Sequence, residues 1–555
     1  MDETLAWQKI VFAERPNRFD LLKITLGGAK KNIKIRILRN HAFEQVANVL
    51  EKFLAYSGMS AEFEISNYDN SLLFLQSDAQ VEIVWLDYSH YTSMLAGELN
   101  AWLVERLTTL RSMSKARIIV ANVPENSSYS KLVNEKIDEW CQITPGTGVL
   151  DLAGFSMVLG PAMFDASRMD VTGSKLSNIA CLFIARALGL GILPDLFLPR
   201  LKAIAIDLDN TLYTGVLAED GINGVVLKEH HLELQRLLKE LSERGILLTV
   251  VSRNEFEDVE RLFQERDDFI LKPDHISKWK VSWGRKADAI RDAAEDFRIS
   301  TDSFLFIDDN LGEIIDVISI LPDIKSIYSG YSPKETVNAL RNFPSLWPKK
   351  ISETDTLRSS DLKANLEREN IAVTHKSTAG YIKELGVNLT FSFDSREDIG
   401  RLSEISAKTN QFNLNLTRLT EVDIFNYFDD PERSVIHFKM ADRLSDSGSV
   451  GVLYARREDG ILHIDELCIS CRAMGRKLED IMITEAIRGV QEILPAKTVR
   501  FAYVTGPRNK PARDWLERYA GTSVPDPFGT LDLPWTGEYV TRYVSAFPIN
   551  ISWKE

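Results

Sequence analysis

The stretch that decides the fold is IAIDLDNTLYTGVLAEDG, residues 204–221, in which a short apolar run ends in Asp207, Asp209 and Thr211. An uninterrupted Ile/Ala run suits a strand buried on both faces, and polar residues straight after it fall where such a strand opens to solvent. Alone, the same residues also describe an acidic turn, because Asp side chains readily bond nearby backbone. The rest of the series separates the two readings. GILLTVVS (245–252) ends in Ser252 and is followed by Arg253 and Asn254; DSFLFIDD (302–309) ends in Asp308 and Asp309; Lys286 lies between them in KVSWGRKADAI. A helical pattern, EHHLELQRLLKELSERG, separates the first two runs and stops at Gly245. This order predicts a parallel sheet whose ligands gather beyond the carboxyl ends of its strands.

Those residue types in that order fit phosphoryl transfer. Acids from different strand ends offer the hard oxygen ligands that magnesium prefers. One carboxylate beside such an ion attacks phosphorus, and a second, two residues on, exchanges protons with the leaving group. Ser252 and Lys286 are placed to hold phosphoryl oxygens and neutralise their charge.

DxDxT, a strand-end Ser, a Lys and a late DD together resemble the four motifs of haloacid-dehalogenase-type (HAD) phosphatases. The resemblance implies Asp207 as nucleophile and Asp209 as acid/base. It implies magnesium held by Asp207, the Asp209 carbonyl and Asp308, with Asp309 as a supporting acid. Thr211, Ser252, Arg253, Asn254 and Lys286 become the phosphate-binding set. Neither 212–251 nor 253–285 has room for a substantial cap domain. The expectation is a capless site, open to a bulky substrate or roofed by neighbouring domains, since water must be kept from a reactive acyl group.

At 555 residues the chain is too long for a single core, and 44% hydrophobic with 26% charged residues is the composition of a globular protein. A net charge of −14 argues against nucleic acid as a partner. Four cysteines make no disulfide framework, and the single CISC at 468–471 lacks the second pair that a zinc site needs. The opening MDETLAWQKI shows no secretory pattern. IACLFIARALGLGILPDLFL, interrupted by Arg186 and Pro194, reads as a buried helix running into a loop rather than a membrane span. A cytoplasmic protein with no membrane partner is expected.

Before residue 200, NIKIRIL (32–38), QVEIVWLDY (80–88) and KARIIVANV (115–123) read as strands alternating with helices such as AFEQVANVLEKFLAYSG (42–58). With VTGSKLSNIACLFIARALGLG (171–191), this part resembles an SGNH-hydrolase fold. It has no GDS nucleophile, since its first strand ends in RNHAFEQ. A degenerate domain used for docking or roofing is expected, with His41 the residue to test. His230 and His231 open a helix and are expected to be exposed.

The last third is α+β. SVIHFKMADR and SGSVGVLYARREDGILHIDELCIS predict antiparallel strands turned at EDG, followed by the helix GRKLEDIMITEAIRGVQEIL and the strand TVRFAYV. In CISCRAMGRKLEDIMI (468–483) a strand runs into a helix through a turn bearing Arg472, Gly475, Arg476 and Lys477, whose backbone N–H groups suit a phosphate or pyrophosphate. It resembles the coenzyme-A-gripping RxxGxG/A loop of GNAT-type acyltransferases, with Lys477 in place of the last small residue. RNKPARDWLERYAG resembles a later GNAT segment, with Leu516 where a tyrosine acid is usual. Cys471, beside Arg472 and a helix start, reads either as a nucleophilic thiol or as packing. Cys468 completes a CxxC, which leaves a redox pair as a third reading. The amide-rich SEISAKTNQFNLNLTRLTEVDI (403–424) suits capping and bridging, or a polar substrate.

The expected organisation is an α/β multidomain chain: an SGNH-like α/β domain (1–198), a capless HAD-like Rossmannoid domain (199–345), a connector (346–378) and a GNAT-like α+β domain (379–555). DLDNTLYTGVLAEDG, WGRKADAIRDAAE, FIDDNLGE, KTNQFNLN and SCRAMGRKLED identify the whole as similar to the FkbH-like proteins, HAD phosphatase subfamily IIIC. Arg253 stands where that family favours Lys. The resemblance implies dephosphorylation of 1,3-bisphosphoglycerate and transfer of the glyceryl unit to the phosphopantetheine thiol of an acyl carrier protein, in the biosynthesis of polyketides or related products. In that reading Arg472, Gly475, Arg476 and Lys477 bind the pantetheine arm. The alternatives are a plain phosphatase of a small phosphorylated metabolite, and a non-catalytic assembly protein.

Overall fold

A computed structural model describes residues 3–29, 31–348, 358–375, 377–474, 476, 478–525, 527–544 and 547–554. It divides into two compact units. One is residues 1–349 apart from the short segments 243–247 and 294–300, which group with residues 350–555 as the other.

The first unit holds two five-stranded parallel sheets. Strands β1 (Lys31–Arg39), β2 (Met59–Tyr68), β3 (Val81–Trp85), β4 (Arg117–Ala121) and β5 (Thr147–Leu150) lie in the order β2-β1-β3-β4-β5. Strands β6 (Ala203–Ile206), β7 (Leu247–Ser252), β8 (Lys278–Val281), β9 (Phe304–Asp308) and β10 (Lys325–Tyr328) lie in the order β10-β9-β6-β7-β8. Central β6, β7 and β9 are buried throughout, which accounts for their largely apolar sequences. Edge strands β8 and β10 are short and half-exposed. The two sheets meet in part through the helix Glu3–Val11: the Gln8 amide donates to the Tyr328 carbonyl (2.9 Å) and accepts from its N–H (2.9 Å), and Phe12 stacks on Phe343.

The helix Glu229–Glu243 forms as its pattern requires, and Gly245 after it takes a positive φ of 89° that favours glycine. His231 is buried, not exposed as expected: its Nδ1 accepts the Lys228 N–H and so caps the first turn of this helix. His230 is half-exposed beside Glu233. The apolar stretch at 179–198 also departs from expectation. Helix Asn178–Arg186 continues through a π-type turn at 187–192 into Leu193–Phe197 rather than into a loop, with Pro194 tolerated near the start of the last piece. By length and composition this run suffices to cross a membrane, but most of it is buried inside the protein.

The second unit is built on one mixed seven-stranded sheet. Its strands are β11 (Asn388–Phe393), β12 (Arg433–Ala441), β13 (Asp446–Glu458), β14 (Ile461–Ile469), β15 (Thr498–Val504), β16 (Phe528–Pro534) and β17 (Asn550–Lys554), in the order β16-β15-β14-β13-β12-β11-β17. Asp459 and Gly460, both at positive φ, close the expected EDG hairpin between β13 and β14. One face buries Phe391, Phe438, Met482, Val490 and Trp515 under the helices Glu479–Ile493 and Lys510–Ala520. The other packs Val435, Val452 and Tyr454 under Ile399–Lys408 and Glu421–Phe428. Helix Arg358–Thr374, inside the expected connector, belongs to this unit.

β14 and β15 run parallel, and their paired register covers only Ile461↔Thr498 to Ile464↔Phe501. Beyond that point residues 412–414 fill the wedge. Leu414 N–H donates to Leu467 O, Ile469 N–H to Phe412 O, and Val504 N–H to Leu414 O.

Candidate active site

Asp207 follows β6 directly and is buried, as are Ser252 at the end of β7 and Asp308 at the end of β9. Lys286, at the start of the helix Lys286–Phe297, sends its ammonium between the two acids, 2.9 Å from Asp207 Oδ1 and 2.6 Å from Asp308 Oδ2. The backbone N–H of Asn310 donates to the other Asp308 oxygen (2.8 Å). Four residues distant in sequence therefore meet at the carboxyl edge of one parallel sheet, where the open α/β architecture places ligands.

Asp209 is held for a separate task. The Tyr213 hydroxyl (2.7 Å) and the Leu217 N–H (3.0 Å) both donate to its Oδ1, and the Asn254 amide donates to its Oδ2 (3.0 Å). Asn210, at positive φ, and Gly215, at φ +116°, fold the intervening turn back so that Leu217 reaches Asp209. In the sequence, only the four-residue spacing of Tyr213 from Asp209 points to this role. Asn254, expected on phosphate, also donates to Ser252 Oγ (3.1 Å) and so ties the ends of β6 and β7 together. The Thr211 hydroxyl bonds Ser329 (3.0 Å). Arg253 is 43% exposed and paired with Glu313 at 2.9 Å.

The charges do not balance. Asp207, Asp308 and Asp309 bring carboxylate oxygens within 4.8 Å of one another, and Lys286 is the cation between Asp207 and Asp308. Burial, reinforced by the neighbouring Asp207 charge, pushes Asp308 up to about 7 and Asp309 up to about 6. Asp207 itself is raised by burial against the pull of Lys286. Burial acts to lower the Lys286 ammonium, but the Asp207 and Asp308 charges outweigh it and hold it above its usual range. A cluster of oxygen donors with surplus negative charge fits a hard divalent cation, whose charge would relieve that repulsion. Asp309, expected only as a supporting acid, lies inside this donor set.

In the second unit the described members of the expected set have partners of their own. Cys468 is buried on β14, and its thiol donates to the buried Glu466 carboxylate (3.3 Å). Cys471 lies past the strand end and is partly exposed. Arg472 donates to Ser449 O (3.1 Å). Arg476, expected at a solvent-facing anion loop, is instead 2% exposed. Its guanidinium is held by Asp361 (3.0 Å) and Asp442 (3.3 Å), so its charge is already neutralised within the protein. Gly475 and Lys477 lie outside the described residues. Leu516, where a tyrosine acid is usual in GNAT-type enzymes, is core. The amide-rich segment caps and bridges: Arg418 donates to Ser406 O, Ala407 O and Thr409 O, while Asn413 donates to Glu466.

No family model and no curated protein matches the chain. Among solved structures it is similar to the N-terminal part of the protein BF1531 from Bacteroides fragilis, containing a phosphatase domain complexed with Mg. That likeness has 22% identity and a TM-score of 0.48, over 61% of this chain and 99% of that one. Two acetyltransferases are also similar. One is the aminoglycoside acetyltransferase AAC(6')-Ib in complex with coenzyme A (14% identity, TM-score 0.20, 28% of this chain and 98% of that one). The other is a GNAT-family acetyltransferase from Streptococcus pneumoniae (12% identity, TM-score 0.19, 27% of this chain and 100% of that one).

Proposed function

We propose that the first unit is a magnesium-dependent phosphohydrolase of the HAD type, acting on a small phosphorylated three-carbon substrate. The observation that carries this reading is the Asp207–Lys286–Asp308 cluster with Asp209 held beside it by Tyr213, Leu217 and Asn254. Magnesium, held by Asp207, Asp308 and Asp309 with the Asp209 carbonyl, would supply charge neutralisation for the phosphoryl oxygens. Asp207 attacks phosphorus and the leaving group departs with the proton of Asp209; a water then regenerates Asp207. Lys286 keeps Asp207 and Asp308 in register, and Ser252 meets the phosphoryl oxygens.

The resemblance to FkbH-like proteins supports the finer reading that the substrate is 1,3-bisphosphoglycerate: the Cys471 thiolate attacks the acyl-phosphate carbonyl and expels the C1 phosphate, the Asp207 site hydrolyses the C3 phosphate ester, and the glyceryl thioester passes to a carrier-protein thiol by exchange that regenerates Cys471. Partial exposure of Cys471 is compatible with that role. Arg476 takes no part in it, because its charge is already matched.

The test incubates the protein with magnesium, bisphosphoglycerate and a holo carrier protein, then measures phosphate and intact masses. A glyceryl adduct on the carrier or the enzyme supports loading; phosphate release alone leaves the plain phosphatase, and neither product leaves the assembly protein. Phosphate release that survives Asp207→Asn would sink the HAD assignment. An enzyme adduct that survives Cys471→Ser moves the acyl group to another residue.

A further inference from the structure

The first unit contains a further cleft, of about 100 Å³, where the π-type turn at 187–192 faces the segment 341–347. Its charged lining residues are Arg186, Asp195 and Arg341. Two of these are matched: Asp195 pairs with Arg200 (2.8 Å) and Arg341 with Glu233 (2.6 Å). Arg186 is not. Among the described residues it has no carboxylate partner; one arm donates to Ala13 O (2.7 Å), and its guanidinium lies over the Phe183 ring at 4.6 Å. Burial pulls its pKa down to about 10, with no anion to offset the loss of water.

A half-buried guanidinium without a counter-charge is costly, and its planar fork matches a carboxylate or phosphate edge. The neighbouring backbone is open, since a Cβ added at Gly191 would meet nothing within 4 Å. Ser345 and the half-buried Asn342 add polar groups to the wall. We propose that this cleft binds a small anion, a phosphate or a carboxylate, through Arg186.

The cleft is separate from the Asp207 cluster. Ser345 O accepts the N–H of Leu201, ahead of the amino end of β6, whereas Asp207 follows its carboxyl end. Extended chain between them spans roughly 20 Å at about 3.3 Å per residue. The cleft has room for a phosphate or a small dicarboxylate.

Calorimetric titration of the full chain tests this, in EDTA so that no metal occupies the Asp207 cluster, at ionic strength matched with chloride. Inorganic phosphate and malonate are the probes, and the one that saturates identifies the anion class. Saturable binding is expected in the wild type and in Asp207→Asn, with Arg186→Gln weakening it more than tenfold. Should Arg186→Gln fail to fold, Asn342→Asp places a negative charge on the cleft wall and is expected to weaken binding similarly. The proposal is overturned if neither anion binds saturably to the wild type, or if phosphate binds Arg186→Gln or Asn342→Asp undiminished.

Discussion

Each unit buries an ionic cluster, and the two clusters are built on opposite principles. Around Asp361, the guanidinium groups of Arg368 and Arg476 meet the carboxylates of Asp361 and Asp442, and the Ser445 and Ser447 hydroxyls donate to Asp361 as well. Cations and anions are equal in number there. Against burial, the arginine charges and hydroxyls hold the Asp361 carboxyl below its usual range. Around Lys286 two acids share one ammonium and a third, Asp309, crowds them, and Asp308 and Asp309 are pushed upward. Balanced charge joins the helix Arg358–Thr374 to the sheet of its unit. Surplus charge leaves a site whose members change state when a ligand arrives, which is what chemistry needs.

The largest effect is expected from Asp207→Asn. It removes the nucleophile while easing repulsion, so phosphate release is expected to fall by at least about a thousandfold, with a melting temperature no lower than the wild type's. Asp361→Asn should do the reverse. Two buried guanidinium groups would lose a carboxylate, at a cost of about 3–5 kcal/mol, visible as an earlier unfolding transition by circular dichroism. Phosphate turnover per folded molecule should be unchanged.

Proton linkage gives the next contrast. Asp308 and Asp309 bind protons more tightly folded than unfolded, so without metal this cluster destabilises the first unit as pH rises from about 4 to 7. Asp361 binds its proton less tightly when folded, so its contribution is full above about 4 and is lost as pH falls below that. Melting curves across this range should show the first unit weakening toward neutrality. Added magnesium should reverse the trend there, because its ligands must be deprotonated. The smallest expected effect is Arg253→Ala. Its ion pair with Glu313 is half in solvent, so stability should move by less than ~1 kcal/mol. A change in KM of similar size, with kcat preserved, would show Arg253 reaching substrate only weakly.

How much of this was legible follows from chain distance and burial. Fully buried β6, β7 and β9 announce themselves as apolar runs, and their terminal residues therefore place Asp207, Ser252 and Asp308 together. Edge strands β8 and β10, KWKV and KSIY, are too short and too polar to stand out. Arg476 read as an exposed loop cation because its partner, Asp361, lies 115 residues earlier in the chain, and no local pattern reports such a pairing. His231 was misplaced for a different reason. Its ring caps its own helix, a use of histidine that looks the same in sequence as a solvated one.

The wedge between β14 and β15 has a consequence for the integrity of the second unit. Residues 412–414 bond to both strands, so the sheet is continuous there only because a loop from elsewhere in the chain lies inside it. Withdrawing that loop would turn the middle of a seven-stranded sheet into two facing edges with unpaired N–H and C=O groups. Such edges template pairing with other chains. Residues 412–414 thus cover two strand edges at an interior position, where sheets ordinarily expose edges only at the rim.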